Sequence, residues 1–225
     1  MSTSLFLKSA ALGLTLSLTL GVHAQAQTPA LTPEQRAQFE QWWDAQPKLD
    51  LPFESGGAKI FIVEFTDLQC PFCRQKHIEL KPILEKYAAR PKDVTFLVKH
   101  WPISSTCNPS LKQDTHPVAC DAAAAVVMAR PKGTAAALID WYFTHQAELT
   151  PATVRKAAAE IGKVTDFDAQ YPRALQEVKT DAALGSSLGV SSTPTFFVNG
   201  RRIPGGGFAP HYFSALFELE LARAK

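Results

Sequence analysis

The sequence predicts an α/β domain: a parallel strand–helix–strand crossover, an antiparallel hairpin near the end, and a block of helices inserted between them. Three observations predict it. Residues 60–65 (Ile-Phe-Ile-Val-Glu-Phe) are apolar on both faces, as a central strand should be, and a helical pattern and a second apolar run at 94–98 follow. Thr195-Phe196-Phe197-Val198, Asn199-Gly200 and Arg201-Arg202-Ile203 give a strong hairpin signal, because Asn-Gly suits a type I′ turn. Between the two, residues 116–188 carry helical patterning throughout. At 225 residues the chain is long enough to bury a real core.

The first 26 residues read as an export signal. Lys8 is their only charge, residues 10–22 are an uncharged run, and Val22-His23-Ala24 and Ala24-Gln25-Ala26 both fit the small-residue cleavage rule. The run is short for a membrane span and broken by Thr and Ser; an uncleaved anchor is the alternative. Cleavage removes Lys8, leaving 22 of 23 basic residues against 21 acidic ones. That balance gives no argument for nucleic acid or an anionic membrane as partner. No later stretch approaches a membrane span, so no membrane insertion is expected after cleavage. All four cysteines lie beyond the signal, an even number suited to an oxidising compartment.

Residues 27–48 form an N-terminal helical extension. Thr32 is its N-cap, Pro33 takes the first helical position and Gln35 the capping-box position. Phe39, Trp42 and Trp43 give it an apolar face that suits either the domain or a second copy, and Pro47 ends it. Residues 49–225 form the main domain, with the insertion at about 116–188. Residues 49–53 suggest a short edge strand and 54–58 a turn. The helix after Cys70 is expected from Arg74 to about Ala89, with a kink at Pro82. Trp101 and Pro102 end the second strand, with Trp101 also a candidate to line the groove, and a polar loop at 104–115 holds Cys107. Inserted helices are expected at 121–129, 135–149, 151–161 and 166–188, broken by Pro131-Lys132-Gly133 and capped by Thr150. Gly205-Gly206-Gly207 reads as a bend before a last amphipathic helix at 209–224.

Cys70-Pro71-Phe72-Cys73 carries the chemistry. A strand hands over to a helix there, so the first sulfur meets unpaired backbone N–H groups and the positive end of the helix dipole. That placement lowers the thiol pKa and makes Cys70 a nucleophile near neutral pH. Cys73, one turn on, is placed to close a disulfide or resolve a mixed one. Glu64 shares a strand face with Ile60 and Ile62, where an acid is out of place.

The order of strand, Cys-x-x-Cys helix, strand, helical insertion, Thr193-Pro194-Thr195 before a hairpin, and final helix resembles the thioredoxin superfamily. Within it, the long insertion and Cys70-Pro71-Phe72-Cys73 resemble the DsbA-like periplasmic oxidoreductases. Cys107-Asn108-Pro109 and His116-Pro117-Val118-Ala119-Cys120 are also similar to the thioredoxin-like domains fused to bacterial vitamin K epoxide reductase homologues.

This resemblance implies a thioredoxin fold whose insertion lies between the second core strand and a cis-proline hairpin. It makes Pro194 the cis-proline beside Cys70 and gives the Thr193 backbone a substrate strand to pair with. Thr193 replaces the Val usual in the strongest oxidant and is closer to isomerase-like relatives. Glu64 takes the place of the family's buried acid, able to shuttle a proton to Cys73; an ordinary carboxylate facing water or Lys59 is the alternative. Pro71 and Phe72 tune the potential, Phe72 lacking the imidazole that some oxidants carry there. Asp67 reads as a loop or helix-cap residue and His77 as a helix-surface residue. Cys107 and Cys120 read first as a structural disulfide, with a redox relay or a four-cysteine zinc site as alternatives. His77, His100, His116, His145 and His211 share no metal-ligand spacing, and no metal or other cofactor is expected.

The expected function is a periplasmic oxidase of protein cysteines, reoxidised by a separate membrane quinone-linked partner of the DsbB or vitamin K epoxide reductase type. A reductase or isomerase kept reduced is the alternative. A zinc-binding or chaperone module is the second alternative.

Overall fold

Described in the structure, a computed structural model, are residues 30–87, 89–203 and 209–224. The expected export signal and the Gly205–Gly207 bend lie outside the described residues. Helix α1 (Pro33–Asp44) starts with the expected capping box: the Thr32 side chain accepts from the Gln35 N–H (3.2 Å), and the Gln35 side chain accepts from the Thr32 N–H (2.9 Å). The chain then runs through β1 (Ile60–Thr66), α2 (Pro71–Glu85) and β2 (Val94–His100). The insertion follows as α3 (Ala119–Ala129), α4 (Ala135–Thr144), α5 (Pro151–Glu160) and α6 (Phe167–Ser187). Strands β3 (Thr195–Val198) and β4 (Arg201–Ile203) and helix α7 (Pro210–Arg223) complete it.

The four strands form one sheet in the order β2-β1-β3-β4. β1 and β2 are parallel, as the crossover requires, and β3 runs antiparallel to both β1 and β4. Asn199 and Gly200 both have positive φ (48° and 84°), the conformation the Asn-Gly hairpin demands. Side chains alternate across β1 and sort the two faces. Ile60 and Ile62 pack with α2 and α7, together with Phe39 and Trp43 of α1. Phe61, Val63 and Phe65 pack with Trp101 and Ala182 on the other face, where α6 lies. At Gly185 a Cβ would stand 2.8 Å from both Phe65 and Trp101, so this turn of α6 approaches the sheet as only glycine permits.

Helix α1 docks on its own chain. Trp43 is fully buried and its indole N–H donates to Glu220 (2.8 Å), while Arg36 pairs with Glu218 and Arg223 with Asp44. Helix α3 is the axis of the insertion: every residue from Ala122 to Ala129 is buried against α4, α5 and α6. Cys70 and Cys73 belong to the same cluster, so the insertion packs directly onto the sulfurs.

Several expectations need correction. Residues 49–53 form no strand; an isolated bridge joins Lys48 to Arg201, and Pro52, with no N–H, cannot continue a ladder. The second inserted helix stops at Thr144, and residues 146–148 form a separate 3-10 turn. Helix α2 begins at Pro71, earlier than Arg74, and β2 runs on to His100. Trp101 does not line a groove: it is 2% exposed and donates to Ser186 (3.0 Å).

Cys107 and Cys120 are joined in a disulfide, with both residues buried. That pairing removes two thiolates from the four-cysteine zinc alternative, and among the described residues no cluster is able to hold a metal ion. The Cys107→Ser/Cys120→Ser double variant should lose about 2–4 kcal/mol of stability in denaturant titrations, by the loop-entropy argument. Its exchange rate should stay at wild type. A folded double variant without turnover would instead make this pair a redox relay.

Candidate active site

Cys70 is the N-cap of α2 and Pro71 its first residue, where a missing N–H costs nothing. The strand end and the helix start are held together by Asp67, which is 1% exposed. Its carboxylate accepts from the backbone N–H groups of Gln69 (2.7 Å) and Ile103 (2.6 Å) and pairs with His116 Nδ1 (2.8 Å). Asp67 is therefore a loop residue, as one of the two expectations had it, but a buried hub and not a helix cap. Gln69 accepts from the Val118 N–H (2.6 Å), and Gln146 donates to the carbonyls of Leu68 and Cys70 (2.9 and 3.1 Å). The insertion thus grips the loop from two sides.

The two sulfurs occupy different environments. The thiol of Cys73 donates toward Cys70, the backbone N–H groups of Cys73 and Phe72 add to it, and Thr193 contributes further; together these lower the Cys70 pKa to about 6. Cys73 is fully buried, and desolvation first, then the neighbouring Cys70 and Glu64 charges, push its thiol well above the ordinary value. The Asp67 N–H points at Cys73 Sγ (3.4 Å). Cys70 is thus the nucleophile and good leaving group, and Cys73 the sulfur that needs a proton.

The Thr193-Pro194 bond is cis and brings the Thr193 carbonyl to 3.5 Å from Cys70 Sγ, where the thiol donates to it. Phe72 between the cysteines is 63% exposed, an apolar contact surface beside the sulfurs. Glu64 is buried beneath them, and desolvation raises its carboxyl to about 7. Lys59, its alternative partner, pairs with Asp93 (3.1 Å). The β ladder places Val98 and Phe196 beside Glu64, so no cation compensates it from the neighbouring strands.

A largely apolar cavity of about 390 Å3 opens beside Glu64 and Thr66, between the sheet, α2 and α4. His77, Lys81 and Asp140 stand at its rim, with Asp140 in contact with His77 Nε2 (2.5 Å) and Lys81 Nζ (2.7 Å). His77 is thus a rim residue of α2, not a partner of the sulfurs.

The structure brings together Glu64, Cys70, Cys73, Thr193 and Pro194, with Pro71 and Phe72 at the helix start; Cys107 and Cys120 anchor the loop that carries His116. Sequence reasoning missed His116, whose pKa is raised by the hydrogen bond to Asp67, with further help from the Cys70 charge. It also missed Gln69, Gln146, Thr66 and His100. His116 and Gln146 reach the site only through the folding of the insertion and carry no local signal. Thr66 was within reach, since strand alternation puts it on the Glu64 face. Chemically, a stabilised thiolate, a buried second thiol and a buried acid at one helix start suit thiol–disulfide exchange.

Comparison with known proteins agrees with the fold. The family model described as Thioredoxin matches residues 55–209. Among curated proteins, the Na(+)/H(+) antiporter NhaA 3 of Salinispora tropica is 30% identical over 148 residues, covering 64% of this chain and 21% of that protein. The chain spans only about a fifth to a quarter of the length of the curated relatives it matches, and antiport is said of those longer proteins. Among solved structures it is similar to alpha-DsbA1 of Wolbachia pipientis, with a TM-score of 0.62 at 19% identity over 78% of this chain and 94% of that one. It is also similar to a periplasmic thioredoxin-like protein from Salmonella enterica serovar Typhimurium, with a TM-score of 0.56 at 21% identity over 82% of this chain and 97% of that one. The chain belongs to the thioredoxin family and has the fold of the DsbA-like oxidoreductases within it.

Proposed function

We propose that the protein is a periplasmic thiol–disulfide oxidoreductase that oxidises protein cysteines through Cys70 and Cys73. The observation that carries this reading is the asymmetry of the two sulfurs. Groups that stabilise the Cys70 thiolate stabilise the reduced pair, and a stabilised reduced pair gives its disulfide away readily. A substrate thiolate attacks Cys70 Sγ, the Cys70–Cys73 bond breaks, and its electron pair leaves on Cys73. A second substrate thiolate then attacks the substrate sulfur of the mixed disulfide and Cys70 leaves. The substrate gains a disulfide, and the enzyme holds the two electrons as a dithiol.

The Thr193 carbonyl beside Cys70 and the exposed Phe72 supply a place for an extended substrate segment. Reoxidation requires an electron acceptor, for which a membrane quinone-linked protein of the DsbB or vitamin K epoxide reductase type is the proposed partner. Export through residues 1–26 and a periplasmic location complete the reading; the buried Cys107–Cys120 disulfide fits an oxidising compartment. Among the described residues no helix is long and apolar enough to cross a membrane, which gives no support to an antiport role for this chain.

The reductase or isomerase alternative draws on Phe72, which puts no positive charge between the cysteines. Oxidative refolding separates the two. Oxidised protein added to a reduced, unfolded protein with several cysteines should transfer one disulfide per molecule within the mixing experiment. Failure to transfer, with rapid reduction of substrate disulfides by the dithiol form, would assign the reductase direction.

A further inference from the structure

Six buried side-chain polar atoms among the described residues have no hydrogen-bond partner, and five belong to residues around the cysteine pair. They are Glu64 Oε1, Thr66 Oγ1, both ring nitrogens of His100, and Thr193 Oγ1. Buried polar groups are normally paired, so a cluster of unpaired ones marks a place kept for chemistry or for a bound group. The sheet register explains the clustering. Glu64 and Thr66 alternate onto one face of β1, and Thr66 is paired with His100 on the parallel neighbour β2. Paired residues on neighbouring strands stand about 5 Å apart, and the diagonal from Glu64 to His100 is within reach of long side chains. Glu64, Thr66 and His100 are 6%, 1% and 0% exposed, with Glu64 and Thr66 in the wall of the cavity. The Thr66 hydroxyl acts on both the Glu64 carboxyl and the Cys73 thiol, yet it is committed to neither by a well-formed hydrogen bond. Burial, with the charges of Arg130 and Lys99 behind it, keeps His100 neutral.

We propose that Thr66 and His100 extend Glu64 into a proton relay for Cys73: the Thr66 hydroxyl passes the proton between the Glu64 carboxyl and Cys73 Sγ, and the His100 imidazole orients that hydroxyl. This rests on the thiol–disulfide reading of the site. When the Cys70–Cys73 bond breaks, the electron pair stays on Cys73 Sγ. Thr66 Oγ1 gives its proton to the sulfur and takes the Glu64 proton, so the net transfer is one proton from carboxyl to thiolate. The carboxylate recovers its proton from solvent through the cavity, past His77, Lys81 and Asp140 at the rim. In reoxidation the proton runs back along the same atoms. Thr66 is a relay residue and His100 a positioning residue.

Single-turnover reduction of the oxidised protein by a dithiol peptide, followed from pH 6 to 9, tests the relay. Thr66→Val should slow the step about tenfold or more and flatten its pH dependence near 7, Thr66→Ser should restore it, and His100→Gln should fall between. Wild-type rates and pH profile in Thr66→Val, with Glu64→Gln still slow, would overturn the relay and leave the oxidoreductase reading standing. A wild-type protein that exchanges with no thiol would overturn the oxidoreductase reading itself. Should Thr66→Val not fold, the proton inventory of the wild-type step in mixed H2O and D2O decides: a curved plot with two protons in flight supports the relay, a linear one contradicts it.

Discussion

Cys70→Ser is expected to abolish exchange, reducing transfer of disulfides to substrate thiols to the uncatalysed background. The hydroxyl cannot form a mixed disulfide, and no other described free thiol can substitute, since Cys73 has no exposed surface, against 3% for Cys70, and holds its proton. Cys73→Ser should behave differently. Its Cys70 keeps the helix-start N–H groups and remains a nucleophile, but it loses the thiol that resolves the intermediate, so mixed disulfides with substrate should accumulate and appear as covalent adducts by mass spectrometry. In Cys73→Ala, which keeps no donor at this position, Cys70 should titrate higher than in the wild type, because the hydrogen bond from the Cys73 thiol is the largest single influence lowering that pKa. Substantial turnover in Cys70→Ser would move the chemistry away from this site altogether.

Glu64→Gln should make the protein more stable at pH 8 and little changed at pH 4. The Glu64 carboxyl titrates near 7 in the fold against 4.5 when unperturbed, because burial disfavours its charged form. A raised folded-state value means that Glu64's contribution is fully present below pH 4.5 and is lost as the pH rises through about 7. Above that, the folded chain carries a buried carboxylate whose paired positions on the neighbouring strands, Val98 and Phe196, supply no cation. The difference of roughly 2.5 units corresponds to about 3 kcal/mol. Glutamine removes the titration, so the variant should gain up to about 3 kcal/mol at pH 8, or roughly 6–12 °C in Tm. Comparing the two proteins at each pH cancels most of the cysteines' own titration. The same variant should exchange disulfides more slowly, which is the cost for which the acid is kept. A stability difference that does not change between pH 4 and pH 8 would show that Glu64 is solvated in the fold.

Much of this site is legible in the chain because its parts have local signatures. Cys70 and Cys73 follow a strand that is apolar on both faces, Asn199-Gly200 marks the hairpin, and Thr32 with Gln35 marks the capping box. The cis peptide before Pro194 and the burial of Glu64 were reached by resemblance or by strand alternation, and the fold places both as expected. What escaped the sequence depends on contacts across long stretches of chain. The Asp67–His116 pair spans 49 positions and forms only once the insertion folds back on the loop. The register of Thr66 with His100 is a property of the sheet, not of either strand alone. Residues 49–53 misled because their apolar alternation resembles an edge strand, whereas Pro52 removes the donor that would have extended the ladder.

Equilibration with defined glutathione buffers tests the central claim most directly, because it reads the potential of the Cys70–Cys73 couple and hence the direction of electron flow. The groups at the helix start lower the Cys70 pKa and so stabilise the reduced pair. That stabilisation pushes the potential of the couple upward, toward the oxidising side. The predicted result is therefore a value above thioredoxin's potential of about −270 mV, carried by Cys70 and Cys73 alone and unchanged when Cys107 and Cys120 are replaced. A value at or below about −270 mV would contradict the oxidase assignment and make the protein a reductant.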